Sequence, residues 1–227
     1  MLGNSHVPAK KGAQVQWTIW AAGTIITESE VDSKWLLVVA ISVYQVIAMR
    51  WLIAHILFVP SLLWNMLLGR VLRIRNWWDS VDEQVILGAR PTRRDVARLA
   101  ELGVTAVVNT CEEYAGPTAA YEQLGIEQIH VPTIDFTPPT LDSVCQAVRF
   151  MEQQTRRGGR LYVHCKAGRG RSATVVICWL MAARGMTASQ AQAHLTSCRP
   201  HVLSRLDQRQ VVKDFAGMLA SGDWQAG

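Results

Sequence analysis

The stretch Val163-His164-Cys165-Lys166-Ala167-Gly168-Arg169-Gly170-Arg171-Ser172 lies between the strand-like apolar run Leu161-Tyr162-Val163 and a helix-like apolar run from Ala173 to Ala183. It reads as strand, loop and helix. A loop that curls onto a helix N-terminus points successive backbone N–H groups inward, and with the positive end of the helix dipole these make an anion site. Gly168 and Gly170 allow backbone turns that a Cβ would resist. Arg171, in the first turn of the helix, offers a planar two-pronged donor to two phosphoryl oxygens. Cys165 at the loop mouth feels the same field, and a free thiol near ~8.5 can be lowered to roughly 3.5–7.5 in such surroundings. The thiolate would attack phosphorus to give a phosphocysteine, and Ser172 would donate a hydrogen bond to the departing sulfur in the second step.

A cysteine with an arginine six positions on is common by chance. The whole string is specific: it resembles the signature loop of the cysteine-dependent tyrosine and dual-specificity phosphatases, His164 and Ser172 included. Lys166, Ala167, Gly168, Arg169, Gly170 and Arg171 are then the expected phosphate-binding residues.

The chain has 227 residues, enough for one ordinary domain with an extension. Its net charge of +5 and pI of about 9.1 favour anionic partners. Five cysteines (111, 145, 165, 178 and 198) are an odd number without CxxC spacing, so neither a disulfide framework nor a zinc site is suggested. A reducing compartment suits a catalytic thiolate. His194 and His201 have no partner at metal-ligand spacing and read as structural.

Residues 1–34 read as a tail. From Trp35 to Gly69 the only formal charge is Arg50. This segment is apolar all round rather than striped, and Trp35 to about Phe58 approaches the ~20 apolar residues that a bilayer needs. The expectation is a membrane-associated helix or helices over residues 35–75, with Trp35 to about Phe58 as the transmembrane stretch, a break or kink at Pro60, and Ser61 to Leu68 along the interface. Seven of the nine tryptophans fall between positions 17 and 78, as at headgroup level. Arg70, Arg73 and Arg75 follow as an anionic-lipid contact and place the catalytic part on the cytoplasmic or equivalent side. Initiation at Met49 would leave a shorter, amphipathic N-terminus instead.

Residues 76–220 form the expected catalytic domain. Val85-Ile86-Leu87 is a strand beside Trp77 and Trp78. Thr92 caps a helix whose Val96, Leu99 and Ala100 share a face, and Gly103 ends it. Val104 to Val108 and Ile126 to Val131 read as strands, with a Gly-Pro-punctuated loop at Cys111–Pro117 between them. Thr140 to Arg157 is a helix with Val144, Val148 and Met151 on one face. Thr187-x-x-Gln190 is a capping box, its helix ended by Arg199-Pro200, and Leu206 to Leu219 is the last helix. Alternating strands and helices describe an α/β fold, a central mixed sheet flanked by helices.

The loop Pro132-Thr133-Ile134-Asp135-Phe136-Thr137-Pro138-Pro139 is the second chemical element. Expulsion of an alkoxide needs a proton, and Asp135, on a Pro-bounded loop, is the candidate general acid. Its alternative role is a local Asx-turn. Glu112 and Asp142 are the fallback acids, Asp142 being better explained as a first-turn carboxylate.

With Phe58-Val59-Pro60-Ser61-Leu62-Leu63-Trp64, Asn109-Thr110-Cys111-Glu112-Glu113-Tyr114, Val131-Pro132-Thr133-Ile134-Asp135 and the His164 to Thr174 string in place, the chain resembles the mitochondrial-type tyrosine phosphatases that dephosphorylate phosphatidylglycerophosphate, together with their bacterial and plant relatives. The resemblance runs from about residue 56 to 215. It implies a dual-specificity-phosphatase fold, a lipid phosphate substrate and neither metal nor cofactor; no nucleic-acid partner is expected. It makes Cys165 the nucleophile, Arg171 the phosphate clamp and Asp135 the acid, with Glu112, Glu113 and Tyr114 lining or ordering the pocket wall and Gln208 positioning water. Gly170 in place of serine, Ala115-Gly116-Pro117 in place of a further Glu, and the segment before residue 50 depart from the pattern. The other readings are a membrane-anchored protein tyrosine or dual-specificity phosphatase, and a phosphate-binding pseudophosphatase, against which the complete Cys165, Arg171, Asp135 set argues.

Overall fold

In the computed structural model, residues 19–21, 24–26, 28–72 and 74–225 are described. The chain divides into two units, residues 1–50 and 51–227. In the first, β1 (Ile19–Ala21) pairs antiparallel with β2 (Thr24–Ile26), a hairpin within the stretch read as a tail, and α1 (Glu28–Met66) begins. Helix α1 runs through Pro60 without ending there, so the expected break is not seen. A single π-type turn, Leu67–Val71, follows it. The expected contact of Arg73 lies outside the described residues.

The spanning segment expected over residues 35–59 is overturned: among the described residues no helix is long and apolar enough to cross a membrane. Ser42, Tyr44, Gln45 and Arg50 interrupt the apolar run, and the end of the helix serves the second unit, where Leu62 is buried and Ser61 bonds to the signature loop. The transmembrane assignment, and the membrane-associated, cytoplasmic-side localisation drawn from it, fall with that helix.

The second unit is built on five strands: β3 (Trp78–Ser80), β4 (Val85–Gly88), β5 (Val104–Cys111), β6 (Glu127–Thr133) and β7 (Arg160–His164). Their order is β3-β4-β7-β5-β6, with β3 antiparallel to β4 and the other pairs parallel. The mixed sheet flanked by helices is therefore as the sequence indicates. Side chains alternate across a strand. Val85 and Leu87, Ala106 and Val108, and Leu161 and Val163 pack to one face, while Ile86, Val107 and Tyr162 pack to the other.

Helices α2 (Arg93–Glu101) and α3 (Thr118–Gln123) supply Val96, Leu99, Ala120 and Tyr121 to the smaller core. Helices α4 (Leu141–Arg156), α5 (Arg171–Arg184), α6 (Ala188–Cys198) and α7 (Gln210–Ser221) cover the other face. Residues 171–181 of α5 are all buried, which is why its sequence is apolar all round rather than striped. The last helix differs from the expected single run. A short turn, Leu206–Gln208, precedes α7, because Arg209 between them is extended (φ −62°, ψ 139°), which a continuous helix cannot contain.

Candidate active site

Residues 165–170 join the C-terminal end of β7 to the N-terminus of α5. Parallel neighbours β4 and β5 flank β7, so the loop emerges at the middle of the sheet where strand ends leave a crevice. Gly168 has φ 66°, and a Cβ there would come within 2.4 Å of the Gly88 carbonyl oxygen. Only glycine lets the loop pass this close over β4.

Peptide planarity fixes which way the loop's N–H groups face. The Ala167 carbonyl accepts from Arg199 Nη2 at 3.1 Å, and the Gly168 carbonyl from Arg199 Nε at 2.9 Å. In a trans peptide the C=O and the following N–H point in opposite directions. Holding these two carbonyls outward therefore turns the N–H groups of Gly168 and Arg169 inward, and Gly168 N–H donates to Cys165 Sγ at 3.3 Å. Arg199 is 1% exposed and is itself braced by Asp79 and the Asn76 carbonyl. Its position before Pro200 marks it in the sequence only as a helix end.

Burial alone would raise the Cys165 thiol. The Arg171 charge, the Ser172 hydroxyl and the backbone N–H groups of Ser172 and Arg169 outweigh that and bring it from 9.0 down to about 7. The buried Ser172 hydroxyl has no hydrogen-bond partner of good geometry in this state, so its effect on the sulfur is that of a nearby dipole. His164 is fully buried behind the loop and stacked on Tyr162 at 5.6 Å. Burial, opposed by a hydrogen bond with the Cys165 carbonyl and aided by His130 and Arg171, lowers its pKa to about 3. It is a neutral wall, not a proton carrier.

Arg171 is aimed from two sides. Its Nη1 and Nη2 donate to Glu113 Oε2 and Oε1 at 2.7 and 2.8 Å, and Nη1 also donates to the Thr133 carbonyl at 2.7 Å. Burial disfavours its charge, but the Glu113 carboxylate more than compensates, and its pKa is raised. Asp135 Oδ1 lies 2.9 Å from Arg171 Nη2, and Oδ2 pairs with Lys166 Nζ. Lys166 Nζ also donates to Ser61 Oγ at 2.7 Å and lies over the rings of Phe136 and Phe58. The aspartate on the Pro-bounded loop thus occupies the anion site itself.

Cys165, Lys166, Arg171, Asp135, Phe136 and Ser61 wall a cleft of about 280 Å³, lined also by Ala167, Arg169 and Gly170 of the loop and by Trp64, Asn65, Arg75, Leu203 and Arg209. Not every expected residue reaches it. Glu112 is solvent-exposed. Tyr114 orders the wall from behind, donating from its hydroxyl to the Pro91 carbonyl at 2.7 Å. Gln208 is exposed and bonded to Asp207, because the turn Leu206–Gln208 directs Leu206 inward and Gln208 out. The next residue, Arg209, enters the cleft instead. Arg199, Arg209 and Asn65 carry no local sequence signal for the site. Among the described residues no group of three or more His, Cys, Asp or Glu could hold a metal ion.

A thiol lowered toward neutrality, under inward N–H groups at a helix N-terminus and beside a carboxylate-locked arginine, can receive a phosphoryl group. On this fold it defines a cysteine-dependent phosphatase. The chain belongs to the dual specificity phosphatase family, whose catalytic domain matches residues 85–216. It is 41% identical over 165 residues to phosphatidylglycerophosphate phosphatase PTPMT2 of Arabidopsis thaliana, covering 71% of this chain and 72% of that protein. It is 34% identical over 172 residues to phosphatidylglycerophosphatase and protein-tyrosine phosphatase 1 of Homo sapiens, covering 72% and 86%. The crystal structure of PTPMT1 in complex with PI(5)P superposes with a TM-score of 0.61 at 30% identity, covering 66% of this chain and all of that one.

Proposed function

We propose that residues 76–220 form a catalytic domain that hydrolyses the terminal phosphomonoester of phosphatidylglycerophosphate through a phosphocysteine on Cys165, releasing phosphatidylglycerol and inorganic phosphate. The observation that carries the chemistry is the Cys165 sulfur beneath inward loop N–H groups, with Arg171 fixed beside it by Glu113. The choice of lipid is supported by the likeness to phosphatidylglycerophosphate phosphatases.

The resting contacts support the following sequence of events. The incoming phosphate dianion displaces the Asp135 carboxylate from Arg171 and takes up the loop N–H groups. Freed from Arg171, the Asp135 carboxyl is left beside the bound phosphate, where it can serve as the general acid. The thiolate then forms the S–P bond as the P–O bond to the glycerol breaks, and Asp135 gives its proton to the departing alkoxide. In the second step Asp135 takes a proton from water as the water oxygen attacks phosphorus. The S–P bond breaks, and the Ser172 hydroxyl, unpartnered in the resting state, hydrogen-bonds to the emerging thiolate.

An anionic lipid surface is proposed as a binding partner of the cleft mouth. Cleft-lining Trp64 is 61% exposed beside Leu63 at 59%, and Val71, Leu72 and Ile74 are exposed near Arg70 and Arg75. The test is phosphate release from phosphatidylglycerophosphate in mixed micelles, set beside phosphotyrosine peptides and phosphoinositides. Phosphatidylglycerophosphate should be preferred, and Cys165→Ser should bind phosphate without turnover. Preferred hydrolysis of peptides would make this a protein tyrosine phosphatase, and retained hydrolysis in Cys165→Ser would move the nucleophile elsewhere.

A further inference from the structure

The cleft holds more positive charge than one phosphoryl group uses. Lys166, Arg171, Arg75, Arg169 and Arg209 line it, and among the described residues Asp135 is the one acidic residue on its wall. Asp135 and Glu113 are both taken by Arg171 and Lys166. Among the described residues Arg75, Arg169 and Arg209 have no carboxylate partner. Burial followed by the nearby charges of Arg75 and Arg199 lowers the Arg169 pKa, the mark of cations gathered without a counter-ion.

The arginines are also positioned. Arg209 Nη1 is anchored to Thr174 Oγ1 at 2.7 Å and to the Gly170 carbonyl at 3.4 Å. Its Nη2 points toward Gly170, 3.7 Å from where a Cβ would stand, and has no partner among the described residues. Arg169 is held by its Nε on the His201 carbonyl at 2.7 Å, which leaves its terminal nitrogens open. On the same cleft wall Asn65 Nδ2 is buried without a hydrogen-bond partner. A buried donor left unpaired is costly unless a ligand completes it.

We propose that Arg75, Arg169, Arg209 and Asn65 form a second anion subsite that takes the singly charged phosphodiester of the substrate whose monoester lies over Cys165. The proposal rests on the lipid reading above.

The test compares kcat/KM on short-chain phosphatidylglycerophosphate and on an aryl phosphate for Arg209→Gln and Arg75→Gln. Loss of one charge-assisted contact should lower the first about tenfold more than the second. Arg209 also braces the loop, so a distortion would lower both together, and an equal fall overturns its assignment. Among the described residues the Arg75 side chain makes no hydrogen bond, so its variant isolates the charge. A competition assay separates this proposal from the lipid assignment: the deacylated headgroup, glycerophosphoglycerol phosphate, is set against glycerol 3-phosphate as inhibitor of aryl phosphate hydrolysis. The headgroup should bind about tenfold better, and Arg209→Gln should abolish that advantage. An Arg209-dependent advantage in an enzyme that does not turn over phosphatidylglycerophosphate upholds the subsite and removes the lipid. Turnover of the lipid with no headgroup advantage overturns the subsite.

Discussion

Replacing Arg199 by methionine tests how the signature loop is held open to an anion. The side chain is 1% exposed and spends its donors on the carbonyls of Ala167 and Gly168, on Asp79 and on the Asn76 carbonyl. Its removal leaves Asp79, whose side chain is 12% exposed, without its cation. Breaking a buried pair by deleting one partner costs about 3–5 kcal/mol. For a unit of this size that lowers the melting temperature by about 6–20 °C, at roughly 2–4 °C per kcal/mol. The catalytic consequence is separate. With both carbonyls released, the peptides 167–168 and 168–169 are free to rotate, and the N–H groups that stabilise the Cys165 thiolate turn away.

The thiol, now at about 7, should then rise by about one unit as hydrogen bonds to its charged form are lost. The assay is the pH dependence of alkylation at Cys165, followed on its own peptide by mass spectrometry because four other cysteines are present. Asp79→Asn combined with Arg199→Met removes the stranded charge and keeps the fold available for measurement. A folded double variant whose Cys165 still titrates near 7, with wild-type turnover of an aryl phosphate, would refute the reasoning that Arg199 sets the direction of the loop N–H groups.

Asp135→Asn should slow hydrolysis of alkyl phosphates by roughly 10²–10⁴-fold while sparing aryl phosphates whose leaving groups need no proton; equal loss on both would remove the acid role. Gly168→Ala should abolish activity, since the left-handed backbone costs about 1–2 kcal/mol and the new Cβ meets the Gly88 carbonyl at 2.4 Å, whereas Gly170→Ala meets only Leu203 Cδ1 at 3.0 Å and should lose at most severalfold in kcat/KM. The acid limb of the pH–rate profile should fall with Cys165, tenfold per unit below about 7. The same group sets a stability slope: its folded pKa lies below the ordinary 9.0, so the stability it adds is full above 9.0 and is lost as pH falls through about 7. His164, lowered from 6.5 to about 3, adds a second loss as pH drops through that window, and denaturant melts of His164→Asn should show a shallower acid dependence.

The signature loop, the sheet and most helix boundaries were legible in the sequence because their causes are local. A strand's period of two and Thr140 and Thr187 at helix starts each act within a few residues. What the sequence hid was set by segments far apart in the chain. Arg199 reaches carbonyls more than thirty positions away, and nothing local distinguishes it from a solvated arginine ahead of a proline. Gln208, placed at the site by resemblance alone, faces solvent beside Asp207, and Arg209, extended between the turn and α7, lines the cleft instead. Composition misled most in residues 35–69. An apolar run with one charge satisfies the length of a bilayer span, yet composition does not reveal that Ser61 ends on Lys166, 105 residues later. That contact changes how the acid loop is understood. Lys166 is held by Ser61 and Asp135 together, and Asp135 also pairs with Arg171, so a residue read as lying along a lipid interface is tied by geometry to the loop that carries Asp135.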